Sequence, residues 1–442
     1  MEWYEVILLP LYMIAFVIAG FYFRDKIYAN NDPTKRFFIP GLCLKMLGSI
    51  AYALIYIYYY QGNGDTFAYF HSIERILESF HLNALMPFNI ISNINNLSTE
   101  EASFLTEYFY MEETFTVVRL GVPLAIFSFG SFMLLTLLFS IASFTGSWAM
   151  YRTFYKANPT HPNAMGVACL MYPSVLFFGS GILKDTVMIF AVGWLLYACY
   201  HLFILRKRIL LSMLIIPICI SLITSIKVYI LLGFAPALLY WILLEFPKSF
   251  HNKYLKTVVY ICCMVGFVGG VIVLRQLIDD RFQAYSMEFI FNKMKSMQKY
   301  HLMLDNAGST SAYDLGDYDP SLSGILAKAP AAINVTFFRP YPSDITNPLI
   351  GIACIESMSI LLLTALILVR SNFKIPIVLF KNNFIVFCLL FAVIFGFFVG
   401  FASFNFGALM RYKIPCLPFF LAAVFLIYFN TIDYEKNNNL LR

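Results

Sequence analysis

Asp65 stands in Gly-Asn-Gly-Asp-Thr-Phe-Ala-Tyr, just after an apolar run ending Tyr-Ile-Tyr-Tyr-Tyr. Gly62 and Gly64 let the backbone turn sharply there and approach a ligand closely. Thr66, Tyr69 and His71 follow on an expected short helix and could add hydroxyl or imidazole contacts. A carboxylate so placed can take the proton of an attacking hydroxyl; it can equally be a turn and helix cap. Lys184 and Asp185 form a second charged pair, set between two apolar runs with almost no loop. A charge at the bilayer centre costs about 2.5–3.5 kcal/mol, which predicts both residues at a helix mouth. There Asp185 could also cap the next helix, and Lys184 could snorkel to headgroups. Lys227 repeats the pattern as a lone cation in Thr-Ser-Ile-Lys-Val-Tyr-Ile.

Two further cationic stretches lie nearer the C-terminus. Arg339 and Tyr341 stand in Phe-Phe-Arg-Pro-Tyr-Pro, whose stiff backbone would hold the guanidinium at headgroup depth. Arginine suits a phosphate because its fork makes paired hydrogen bonds and never loses its charge; an interfacial anchor is the plainer alternative. Arg411 and Lys413, in Met-Arg-Tyr-Lys-Ile-Pro, look like an anion-binding rim. The acidic string with Asp314, Asp317 and Asp319 reads first as a solvated loop, although oxygen ligands at that spacing could hold a divalent cation. No other cofactor is implied. No Ser-His-Asp or Cys-His set stands out among the six histidines, and neither they nor the nine cysteines show metal-ligand spacing. Asn96 and Asn334 begin triplets of glycan-acceptor form, which are common by chance.

The elements that must position these residues are membrane helices. The chain of 442 residues is 60% hydrophobic and 13% charged, with a mean hydropathy of +0.73. A soluble protein cannot hide that much apolar surface. Glu2 and Glu5 precede the first apolar run and no small-residue cleavage site follows, so that run is not expected to be a cleaved signal peptide. Apolar runs at roughly 5–23, 37–60, 120–147, 164–182, 187–205, 209–226, 228–246, 257–274, 347–369, 384–403 and 414–430 predict about eleven transmembrane helices. The expected fold is therefore an all-α polytopic membrane protein, with residues 1–442 as a single integral membrane domain. Two long extracytoplasmic loops, 61–119 and 275–346, would carry short surface helices. One of these is Phe70–Phe80, with Ile73, Ile76, Leu77 and Phe80 on one face and Glu74, Arg75 and Glu78 opposite.

Charge gives an orientation. With the N-terminus outside and the segments alternating, the inner segments hold 17 Lys/Arg against 5 Asp/Glu, and the outer ones 13 against 19. Lysine and arginine favour the cytoplasmic side, which places the C-terminus in the cytoplasm and the candidate residues on the outer face. The net charge of +6 then records membrane orientation and excludes nucleic acid as an expected partner. The inner face has no phosphate-binding loop and no dinucleotide fingerprint, so chemistry driven by a cytoplasmic nucleotide is not expected.

Taken together, a carboxylate and several cations from distant loops meet one membrane face. Fixed cations can stabilise a departing phosphate, and a phosphate at headgroup depth on an apolar molecule describes a lipid-linked sugar. The aspartate loop with its following helix resembles membrane-embedded GT-C glycosyltransferases. So does the stretch Pro-Ser-Val-Leu-Phe-Phe-Gly-Ser-Gly-Ile-Leu-Lys-Asp-Thr, a helix pair with a short charged outer turn. Gly-Asp-Thr-Phe-Ala-Tyr and Arg-Tyr-Lys-Ile-Pro are similar as well to bacterial O-antigen and exopolysaccharide polymerases. One more span precedes the aspartate loop here than in the usual pattern. The resemblance implies a transferase that moves a sugar from a polyprenyl-phosphate or polyprenyl-diphosphate donor to a hydroxyl of a glycan or lipid acceptor. It would work in polysaccharide biosynthesis at the cell envelope, in a bacterial inner membrane. In that scheme Asp65 and Asp185 are the catalytic candidates. Lys184, Lys227, Arg339, Tyr341, Arg411, Lys413, Tyr69 and His71 would contact substrate. A polymerase is the alternative within enzymes, and a transporter or flippase of lipid-linked or anionic solutes is the alternative outside them.

Overall fold

The computed structural model describes residues 3–92, 97–105, 111–245, 311–316, 322–371 and 374–440, together with positions 254, 258, 296, 299, 303 and 319. It is helical throughout. Among the described residues no strand forms, and an isolated antiparallel bridge joins Ala312 to Asn405. We number the helices that position the candidate residues as α1 (Trp3–Ile27), α2 (Phe38–Leu54), α3 (Asp65–Glu78), α4 (Glu112–Ala125), α5 (Phe132–Ala157), α6 (Pro162–Gly166), α7 (Pro173–Phe178), α8 (Lys184–Cys199), α9 (Ile209–Lys227), α10 (Tyr229–Glu245), α11 (Ala329–Phe338), α12 (Pro348–Ser371), α13 (Asn383–Ala402), α14 (Phe406–Tyr412) and α15 (Leu417–Leu440).

Eight helices among the described residues are long and apolar enough to cross a membrane, so the chain is a polytopic integral membrane protein. They are Tyr4–Ile27, Lys35–Tyr59, Phe132–Ala157, Lys184–Ile204, Ile209–Lys227, Pro348–Ser371, Asn383–Ala402 and Leu417–Lys436. The three other expected spans do not add to that number. The run at 257–274 lies outside the described residues. The run at 228–246 forms α10, 17 residues long. The run at 164–182 is interrupted. A π-helical turn occupies Val167–Met171, Tyr172 is extended before Pro173, and α7 stops at Gly179. Proline removes a backbone donor and forces its predecessor out of the helical region, which accounts for the break at Tyr172.

The frame of the third span also differs from the apolar run that predicts it. Hydropathy places it at 120–147, but Phe129 and Gly130 take positive φ of 51° and 73° and break the chain. The Ser131 hydroxyl then accepts the Leu134 amide at 3.1 Å and starts α5 afresh. Apolar composition cannot reveal such a break, because Phe129 is as greasy as its neighbours.

The chain divides into two compact units, residues 1–202 with 206–228 and residues 203–205 with 229–442. In the first, α5 is central and packs on α2 and α8. α5 and α8 run in the same direction: Gly146 meets Phe190 and Gly193, and Lys156 Nζ lies 3.2 Å from His201 Nε2. A Cβ on Gly193 would run into the Gly146 carbonyl. The two glycines therefore allow the backbones to touch, as small residues do where helices pack in lipid. In the second unit, α13 packs on α10, α11 and α15. Its core is aromatic: Phe234 meets Phe391 edge-on at 5.1 Å, Phe391 meets Phe419 at 4.7 Å, and Trp241 stacks on Phe387 at 5.0 Å. Such pairs contribute about 0.5–1.5 kcal/mol each beyond their buried area.

Candidate functional site

In the first unit the sequence candidates gather at one end of the bundle. Gly64, with φ 104°, turns the chain into α3, so Asp65 occupies the first helical turn, partly exposed. Two residues on, Phe67 stacks on Phe132 at the start of α5, with ring centroids 4.2 Å apart. The apolar face expected for α3 turns inward. Ile73 and Ile76 are buried, and Ile73 fills the space left by Gly121 of α4. The helix expected to lie along the membrane surface is thus held by packing against the protein. Tyr69 belongs to this buried face, whereas His71 is exposed with Nδ1 3.3 Å from Glu74.

The same end of α5 adjoins the start of α8, because the two helices run in parallel. Lys184 Nζ lies 4.0 Å from Glu113 in the first turn of α4, and its side chain is 23% exposed. Asp185, one residue on, is buried and receives the ammonium of Lys227 from the last turn of α9. Pairing settles the cost of placing these two charges away from water, since each ion is otherwise expensive to bury. Lys227 is therefore engaged within the fold and does not stand alone in a turn. Glu113, not singled out from the sequence, joins the group. Its Glu-Glu start to a helix was a legible signal, because acidic residues favour helix N-termini.

Beneath this end, the tyrosines that close the second span form a ladder. Tyr52 stacks on Tyr56 at 4.5 Å and Tyr56 lies 4.8 Å from Tyr60. Gly64 sits against the Tyr56 ring and Gly181 against the Tyr52 ring. Deeper still, Lys45 is only 2% exposed and donates to the Val175 carbonyl of α7 at 3.0 Å. The Ser140 and Ser180 hydroxyls bond the Lys45 carbonyl at 2.9 and 3.3 Å.

In the second unit, Arg339 follows α11 and makes a two-pronged bond to Asp344, at 2.9 Å from Nε and 2.6 Å from the terminal nitrogen. Burial would raise the Asp344 carboxyl. The Arg339 bonds and the Tyr341 amide at 2.7 Å outweigh it and hold the group below the usual carboxylate range. The Tyr341 hydroxyl donates to Asn334 at 3.0 Å. The Arg339 guanidinium also covers the Phe406 ring at 5.1 Å, which ties the Pro-Tyr-Pro loop to α14. Ser357 of α12 donates to the Arg339 carbonyl at 2.8 Å and lies 3.5 Å from Lys413 Nζ. Lys413 is fully buried; burial pushes its ammonium down, and the Glu356 carboxylate partly restores it. Arg411 is partly exposed, with its guanidinium 5.3 Å from the Tyr412 ring.

Arg339, Tyr341 and Lys413 thus come together; in the other unit Lys184 meets Glu113 and Asp185 meets Lys227, while Asp65 begins a separate helix. Among the described residues no three of His, Cys, Asp and Glu gather as a metal set. Asp314 accepts its own Gly316 amide at 2.9 Å, which is turn chemistry. Asp317, Asn96, His251, His301, Cys262 and Cys263 lie outside the described residues. Seven other cysteines are free thiols, nearly all buried.

Comparison with protein-family models, with curated proteins and with solved structures finds no match to this chain.

Proposed function

We propose that the protein is a membrane glycosyltransferase of GT-C type that takes sugar from a polyprenyl-phosphate or polyprenyl-diphosphate and passes it to a hydroxyl acceptor. What carries the reading is the end of the first unit where Asp65 starts α3 and Lys184 starts α8, both partly exposed, Lys184 beside Glu113, with stacked tyrosines against the glycines that precede each helix. A carboxylate that can receive a hydroxyl proton and a cation that can meet a leaving phosphate are the two groups this transfer needs. The acceptor oxygen attacks the anomeric carbon, Asp65 takes its proton, and the carbon–phosphate-oxygen bond breaks with the lipid phosphate leaving as an anion. In the orientation that the lysine and arginine bias favours, transfer takes place on the extracytoplasmic face of a bacterial inner membrane.

A second reading is favoured by a specific observation. Lys45 within a span and the interrupted helix between Pro162 and Phe178 are features of transporters, where broken helices and membrane-embedded charges line a solute path. Reconstitution separates the two. Purified protein in vesicles with a panel of polyprenyl-phosphate sugars and short glycan acceptors should release free polyprenyl phosphate in step with glycosylated product. Movement of the labelled lipid between leaflets with no product would reject the transferase in favour of the flippase.

A further inference from the structure

At the end of the first unit away from Asp65, the connection between α1 and α2 folds around an open hollow of about 420 Å³. Arg24, Lys35 and Arg36 line it, with Asn30, Asn31 and Asp32 between them. Arg24 and Lys35 share the Asp25 carboxylate at 2.9 and 3.0 Å. Asp32 turns elsewhere: it accepts the Thr34 hydroxyl at 2.5 Å and Arg152 of α5 at 2.6 Å. Burial would raise the Asp32 carboxyl, but the Thr34 and Arg152 bonds outweigh it, so the group stays ionised and occupied by Arg152. Arg36 donates to the neutral amide of Asn163. With Lys26 and Arg152, five cations stand against two carboxylates, Asp25 and Asp32, an excess of three positive charges.

The depth of this excess is set by the helices. Arg24 lies in the last turn of one candidate span, and Lys35 opens the next. The hollow therefore sits where phospholipid headgroups sit. Beside it, α1 leaves a broad apolar surface bare: Phe21, Tyr22, Phe23 and Ile27 are all exposed. Arg24 rides over the Phe21 ring at 4.7 Å and Lys26 over Tyr22 at 5.4 Å, so the cations crown that surface.

We propose that this hollow binds the phosphate headgroup of an anionic phospholipid, whose acyl chains run along the bare face of α1. A free phosphate ion would use the cations alone, whereas a phospholipid uses the cations and the apolar face together. Basic pockets at span ends hold acidic headgroups through the same two contributions. The inference is independent of the sugar-transfer reading, since none of its residues belongs to that site.

The test is retention of lipid by the purified full chain, measured by native mass spectrometry after exchange into vesicles of phosphatidylglycerol and phosphatidylcholine in equal amounts. Wild-type protein should retain the anionic lipid in preference, with the preference shrinking as salt rises. Each cation near the surface contributes about fivefold in affinity. K35Q should therefore lose about fivefold of the preference, and R24Q/K35Q/R36Q on the order of a hundredfold. Thermal melting in phosphatidylcholine alone should be unchanged; where the triple variant does not fold, K35Q carries the test. Equal retention of both lipids by wild type, or an undiminished preference in a folded variant, overturns the proposal. Displacement of phosphatidylglycerol by low-millimolar inorganic phosphate overturns the lipid assignment and leaves a free-phosphate site.

Discussion

Lys227, the last residue of α9, donates to the carboxylate of Asp185 in the first turn of α8, and both side chains are buried. The pair ties the adjacent helices at one end, while Arg208 bonds the Tyr197 hydroxyl at 2.7 Å towards the other. Removing one partner leaves an uncompensated buried charge. K227M should therefore destabilise the protein by about 3–5 kcal/mol, and D185L/K227M should recover most of that loss. Thermal unfolding in detergent checks both. Sugar transfer that persists in the stable double variant would confine Asp185 to a structural role.

Asp65→Asn keeps the size of the residue in the first turn of α3 but removes its charge and basicity. Transfer should fall by about 10²–10⁴-fold, the range of a lost general base. Expression, melting and binding of the polyprenyl-phosphate sugar should stay near wild type. Full activity in this variant takes Asp65 out of the mechanism.

Gly193 touches the carbonyl of Gly146 where α5 and α8 cross. Gly193→Ala should separate the helices and cost about 1–3 kcal/mol, the usual range for overpacking. The matching exposed-helix change Ile218→Ala serves as the control, because Ile218 is exposed on α9. An unchanged melting temperature for Gly193→Ala would mean that the crossing is looser than described.

The Arg339–Asp344 link carries a pH signature. Asp344 titrates below its ordinary value of 3.8, so its contribution is present above that pH and is lost as pH falls through the depressed folded value. Exchange of the Tyr341 amide, which donates to Asp344, should accelerate on acidification below about pH 3.8. It should also be fast at neutral pH in D344N. Slow exchange in both conditions would contradict the link.

Helix type and approximate place were legible in the sequence wherever an apolar run met a polar boundary, as at Arg24 and Arg370. They were not legible where the break is conformational: positive φ at Phe129 leaves no mark on hydropathy, and Tyr172 owes its extended backbone to Pro173. Lys184 and Asp185 open a helix and Lys227 closes one, but their partners could not be read from the sequence. Asp185 and Lys227 are 42 positions apart and meet only because α8 and α9 pack side by side. Asp344, five positions from Arg339, was within reach of a local reading, since a carboxylate so near an arginine in a stiff loop is its natural neutraliser. Lys413 was expected on a rim and is interior, because residue type alone does not reveal that the turn after a short helix points inward.

The bond from Lys45 to the Val175 carbonyl spans 130 positions of chain. A ribosome delivering this protein to a membrane exposes α2 long before α7 exists, so its lysine waits in lipid without an acceptor. A charge there costs about 2.5–3.5 kcal/mol on insertion scales. Nascent chains cut after residue 157 should therefore integrate the second span poorly, and chains cut after residue 183 should integrate it well, as scored by accessibility of a cysteine placed at Asn63. Lys45→Leu should erase that difference; equal integration of both wild-type lengths would show that the lysine imposes no order on assembly.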